Sequence, residues 1–169
     1  ATESHIQVLI QKPKTNDRID IHLKKEGKKG IAVNGIPLKK LGELFGTCHA
    51  AIFSPEDLNL IKEGPVARRR FMDMEICQMN LVYYYDLQKY YRILKQRNHL
   101  LKEIQKKPSL KETLFLWDEQ LADAAERIIA TRSDFLDKLN QISSKKQNEL
   151  TGDKDALEII YKPNCTENQ

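Results

Sequence analysis

Residues 84–121 read YYDLQKYYRILKQRNHLLKEIQKKPSLKETLFLWDEQL, and the period of their apolar positions decides the fold. Tyr84, Leu87, Tyr91, Leu94, Asn98, Leu101 and Gln105 recur at steps of three and four, the seam of a heptad helix with a polar Asn98 to fix its register. Pro108 ends that helix, because it has no N–H and its ring clashes with the preceding turn. Ser109 and Glu112 then have the spacing of a capping box. Leu114, Trp117, Leu121, Ala124, Ile128, Thr131 and Phe135 keep the same period. The seam drifts by one residue to Leu139 and Ile142, as a helix of 3.6 residues per turn does. Two such helices joined by so short a turn run antiparallel, each reaching about 60 Å.

Upstream, nothing breaks the first helix back to Pro65. Ser54-Pro55-Glu56-Asp57 starts a shorter one: Ser54 can cap, Pro55 suits the first helical position, and two acids sit at the positive end of the helix dipole. Gly64 stops it. Before that the pattern is of strands. Ile6, Val8 and Ile10 alternate with Gln7, Leu9 and Gln11, and Ile19, Ile21 and Leu23 alternate with Asp20, His22 and Lys24. Pro13–Asp17 and Gly27–Gly30 are connections, Ile31–Val33 is a third strand, and Asn34-Gly35 is a two-residue hairpin signal. Leu38, Leu41 and Leu44 are spaced for a short helix ending near Gly46, and Ala50–Phe53 reads as a short buried strand. Downstream, Thr151-Gly152 ends the second long helix and residues 157–162 read as a returning strand. The class expected is α+β: a β-rich lobe over 1–64, a helical hairpin arm over 65–150, and a return strand and tail over 151–169.

Charge is distributed unevenly. The net charge is +4, yet residues 65–108 hold ten Lys/Arg against four Asp/Glu, an excess of six. Such a segment suits an anionic partner, although a solvated helix face has the same composition. Cys48, Cys77 and Cys165 form no C-x-x-C pair, which speaks against a disulfide framework or a zinc site and suits a reducing cytoplasm. Asn164-Cys165-Thr166 fits a glycosylation sequon and is read as chance. No apolar run approaches the ~20 residues of a membrane span. The chain opens on Ala1-Thr2-Glu3-Ser4 without an initiator Met or a signal pattern, so a piece of a longer protein is expected.

Several chemistries lack their residues. A phosphate-cradling loop needs the spacing G-x-x-x-x-G-K-[ST], and Gly27-Lys28-Lys29-Gly30 is too short for it. His5, His22, His49 and His99 have no ligand spacing. No Ser stands in a G-x-S-x-G elbow, and Cys48-His49 are adjacent on an expected strand, where side chains point apart.

One run is more specific than any of this. Ala51-Ile52-Phe53-Ser54-Pro55-Glu56-Asp57-Leu58-Asn59-Leu60-Ile61-Lys62-Glu63-Gly64-Pro65 is followed by Arg68-Arg69-Arg70-Phe71-Met72-Asp73, and then by Tyr85–Lys102, YDLQKYYRILKQRNHLLK. This resembles the RecF family pattern "FSPEDL…L.K.GP..RRRFLD" with "Y…L..Y..VLKQRN.LLK" after it; Met72 replaces the usual Leu. Val33-Asn34-Gly35 with Leu38 and Leu41, and Trp117-Asp118, also look like RecF, so the match covers most of the chain.

The resemblance implies part of an SMC-type ABC ATPase head carrying a short arm, with the phosphate loop before this segment and the signature and Walker B motifs after it. ATP and magnesium would then belong to the longer parent, an ATP-dependent homodimer, and none to this chain, which is not expected to be an enzyme. Ser54 falls where related heads carry the nucleotide-sensing Q-loop, besides being a plain helix start. The partners implied are RecR, indirectly RecO, and double-stranded DNA and its junctions with single strands, with no membrane. The candidate DNA-contacting residues are Arg68, Arg69, Arg70, Lys89, Arg92, Lys95 and Arg97. For Arg68–Arg70 ion pairs with Glu56, Asp57 or Asp73 are an equal alternative. For the tyrosines at 83–85 and 90–91, packing competes with base stacking. A head fragment of another SMC-type ATPase is the alternative identity, and nucleotide-dependent activity through an unrecognised loop the alternative function.

Overall fold

The structure, a computed structural model, describes residues 2–27 and 29–163. Lys28 of the Gly27–Gly30 turn, and Cys165 with its sequon, lie outside the described residues. The chain is α+β and divides into two compact units, residues 1–81 and 82–169.

The first unit begins with an antiparallel sheet of β1 (Glu3–Gln11), β2 (Asn16–Lys24), β3 (Gly30–Val33) and β4 (Ile36–Pro37), in that order. Its register sets Ile6 beside Ile21 and Ile31, and Val8 beside Ile19 and Val33, so the alternation collects the aliphatic side chains on one face. The other face carries His5, Gln7, Asp20 and His22. Asn34 and Gly35 turn β3 into β4 with φ of 52° and 82°, the two left-handed positions the hairpin needs. Asn34 also stitches the turn to β2, accepting from the Arg18 N–H at 2.8 Å and donating to Asp17 at 2.9 Å.

The helix expected near Leu38–Leu44 is a single 3-10 turn, Leu41–Leu44, released by Gly46 at φ 84°. Ala50–Phe53 is not a buried strand: it is irregular, and Phe53 is 91% exposed. A strand needs a neighbour's ladder, and here the Ala50 N–H is taken by the Gln78 side chain at 2.9 Å. A 3-10 turn, Pro55–Leu58, leads into α1 (Asn59–Lys62), and Gly64-Pro65 open α2 (Pro65–Met79). Met72, Asp73, Ile76 and Cys77 on α2 are buried. The helix expected to run unbroken from Pro65 stops at Asn80, which is extended at φ −137° and ψ 98°. Asparagine is a poor helix former, and its N–H closes the last turn onto the Ile76 carbonyl. As a result α2 groups with the β-rich unit rather than with the arm.

In the second unit α3 (Leu81–Ile104) leads through a 3-10 turn at Pro108–Thr113 to α4 (Leu114–Thr151). The Ser109–Glu112 capping box does not form, because the turn starts at Pro108 and already contains Ser109. Three pairs prove the antiparallel hairpin: Arg132 to Tyr83 at 2.9 Å, Arg127 to Asp86 at 3.0 Å, and Arg97 to Asp118. As the α3 partner rises, the α4 partner falls. The core holds Tyr83, Ile93, Ala124 and Ile128.

The α3 seam is one residue away from the one expected. The face toward α4 carries Tyr83, Tyr90, Ile93, Leu100 and Ile104, while Asn98 is exposed. This face wins because its polar members, the Tyr83 hydroxyl, Asp86 and Arg97, all find partners on α4. A buried Asn98 would have to find its own. On α4 the expected seam holds to Phe135 and Leu139, but Ile142 is 63% exposed and Ser143 turns inward instead. Gly152 ends α4 at φ 62°. Residues 157–162 are not a strand: α4 side chains hold their backbone, Asn140 accepting from the Ile159 N–H at 2.9 Å and Ser144 donating to the Leu157 carbonyl at 2.8 Å.

Candidate nucleic-acid interface

Between Asp86 and Glu103 the sequence of α3 contains no carboxylate, and it places Lys89, Arg92, Lys95, Arg97 and Lys102 in that interval. The two bounding acids are committed. Asp86 accepts from Arg127, and Glu103 pairs with Lys106 at 3.0 Å, which holds its carboxyl below the usual range. Lys89, Arg92 and Lys95 are therefore exposed cations with no ion pair among the described residues. Arg97 differs: its Nε donates to Asp118, its side chain is only 29% exposed, and it belongs to the hairpin. Lys102 extends the cationic stripe, with His99 on the same face, and neither was singled out from the sequence. The signal was present, since Arg92, Lys95, His99 and Lys102 stand at i, i+3, i+7 and i+10, one helix face.

The three arginines of α2 separate in the same way. Arg68 donates through Nη1 to the carbonyls of Glu63 at 2.9 Å and Leu60 at 3.4 Å, tying α2 to the C-terminal end of α1. Such a cation satisfies carbonyls that a helix end leaves open. Arg69 and Arg70 are exposed, and among the described residues they make no ion pair with Glu56, Asp57 or Asp73. Ser54 is absorbed by the helix start: its N–H donates to Asp57 Oδ2 at 2.7 Å. The Glu56 carboxyl is lowered by its own backbone N–H and then by the Ser54 side chain.

The tyrosines divide too. Tyr83 is buried, Tyr84 and Tyr90 are half-buried, and Tyr85 and Tyr91 are exposed, their rings 5.4 and 5.6 Å from those of Tyr84 and Tyr90. No group of His, Cys, Asp and Glu suited to a metal is found among the described residues, and no described helix is long and apolar enough to cross a membrane. Cys48 lies against the His49 carbonyl at 3.7 Å rather than its imidazole, and burial pushes the Cys77 thiol up to about 11. What the arrangement offers chemically is a row of free cations on one rigid helix, suited to phosphate oxygens and indifferent to base sequence.

No protein-family profile matches the chain. It is 44% identical over 161 residues to the DNA replication and repair protein RecF of Agathobacter rectalis, covering 95% of this chain and 44% of that protein. To the RecF of Lachnospira eligens it is 48% identical over 168 residues, covering 98% of this chain and 46% of that one. A solved structure of the recombination mediator protein RecF with ATP, in the RecFOR pathway, superposes with a TM-score of 0.82 at 36% identity, over 90% of this chain and 41% of that one. The chain thus spans less than half the length of the relatives it matches.

Proposed function

We propose that this chain, which matches a fragment of RecF, is the DNA- and partner-contacting part of a DNA replication and repair protein and does not itself hydrolyse ATP. The observation that carries the reading is the carboxylate-free face of α3, where Lys89, Arg92 and Lys95 stand exposed and unpaired among the described residues. A duplex carries one negative charge per ~1.7 Å of axis, so a run of exposed cations on one helix meets a dense row of phosphates. Arg69 and Arg70, exposed in the other unit, belong to the same class of contact. Binding of this kind positions a protein on DNA and leaves the choice of site to shape, which suits a junction of double- and single-stranded DNA.

The whole protein's action extends this reading. RecR, with RecO behind it, is the partner we assign to the arm, and recombinase loading the outcome. ATP and magnesium, gripped by the whole protein as an ATP-dependent dimer, are the control. This chain has no G-x-x-x-x-G-K-[ST] run with which to grip a triphosphate.

The test is a titration of the chain with a labelled duplex carrying a single-stranded tail. The Lys89→Glu, Arg92→Glu, Lys95→Glu triple variant is expected to lose at least about tenfold in affinity at low salt. Unchanged binding by the folded variant removes α3 from the DNA footprint and overturns the reading.

A further inference from the structure

Two apolar seams run along α3, and the second is left partly open. The row Tyr83, Tyr90, Ile93, Leu100 and Ile104 faces α4. Beside it, Leu87, Tyr91, Leu94, Asn98 and Leu101 keep a heptad spacing of their own, Leu87 and Leu94 half-buried and the rest exposed. Tyr91 is 55% exposed, Leu101 37%, and Asn98 is exposed. An open groove lined by Tyr91, Leu94, Lys95, Asn98, His99 and Lys102 follows this row. Its walls are the i, i+4 ridges Tyr91–Lys95–His99 and Leu94–Asn98–Lys102, the relief into which a ridge of another helix packs.

We propose that this groove receives an acidic amphipathic helix of a partner protein, its small apolar ridge over Tyr91 and Leu94 and its carboxylates facing Lys95 and Lys102. Three observations select that occupant. Lys95 and Lys102 sit where a coiled coil keeps the flanking charges that choose its partner, and no carboxylate shares that edge. A second copy of this chain is a poor fit: antiparallel about Asn98 it sets Lys95 against the other copy's Lys102, and parallel it sets these lysines against the Arg97 row. Nucleic acid explains the cations but leaves the exposed Tyr91 and half-buried Leu94 of the groove unused, whereas apolar surface bordered by charge is what a protein interface buries. Asn98, polar within the seam, would fix the register of the incoming helix. This inference shares Lys95 with the phosphate reading and differs from it in needing the apolar side chains of Tyr91 and Leu94.

The experiment titrates the full 169-residue chain with two labelled helical peptides about three heptads long. They share one apolar seam, and one is flanked by Glu, the other by Lys. The Glu-flanked peptide is expected to bind and the Lys-flanked one to fail. Tyr91→Ala and Lys102→Glu, both at exposed positions, should each weaken capture at least about tenfold while circular dichroism stays helical. Failure of the Glu-flanked peptide to bind, equal binding of both peptides, or capture unchanged in Tyr91→Ala overturns the proposal. A DNA duplex binding through this face with no loss in Tyr91→Ala, while the peptides do not bind, marks it as a phosphate surface and overturns it as well.

Discussion

At the scale of single residues, identical side chains have been given different work by their neighbours. Arg92 and Arg97 lie five positions apart on α3, yet Arg92 is exposed and Arg97 is held by Asp118. Arg92→Gln is expected to weaken DNA binding with no change in Tm, and Arg97→Gln to lower Tm with little effect on binding; measuring both quantities on both variants checks the assignment. The reverse pattern would exchange their roles. Asp20 shows the same logic in the sheet. Its carboxyl is lowered first by the Gln7 amide, at 3.0 Å, and then by Arg18, whose Nε lies 2.9 Å away. A depressed folded value means that its stabilisation is present above the unfolded value near ~4 and is lost as pH falls through the lower folded one. Melting curves between neutral and acidic pH should therefore fall more steeply for the wild-type chain than for Asp20→Asn. Parallel curves would show that Asp20 contributes nothing to the acid limb.

At the scale of elements, the hairpin stands on a few well-buried contacts. Ile128 is 3% exposed in the α4 seam, and Ile128→Ala should cost about 2–5 kcal/mol, read as a lowered midpoint in urea. A loss well under 1 kcal/mol would mean that the seam is not the core. Much of this element was legible beforehand, because the α4 apolar stripe from Leu114 to Phe135 has a single phase, and Pro108 and Gly152 mark its limits without ambiguity. The α3 seam was not, because two apolar stripes lie side by side there. Only the partners of Tyr83, Asp86 and Arg97 on α4 decide between them, and such long-range pairs leave no mark in local periodicity. The same limit explains Ala50–Phe53 and residues 157–162, apolar runs with a strand's composition whose backbone is claimed by Gln78, Asn140 and Ser144. The cationic stretch of α3 could be read from composition. Which of its arginines is free could not, since that depends on Asp118.

At the scale of the whole molecule, the chain is a sheet-bearing unit and a helical hairpin unit, matched to a fragment of RecF, with free cations gathered on one helix. The proposed role of these cations is to replace counterions on DNA phosphates. Its most direct test is the dependence of duplex affinity on salt, measured for the wild-type chain and for the Lys89, Arg92, Lys95 triple reversal. Each phosphate contact steepens the slope of log affinity against log salt by about one unit. The wild-type slope is therefore expected to exceed the variant's by about three units. Equal slopes would rule this role out, because affinity would then owe nothing to the charges on α3.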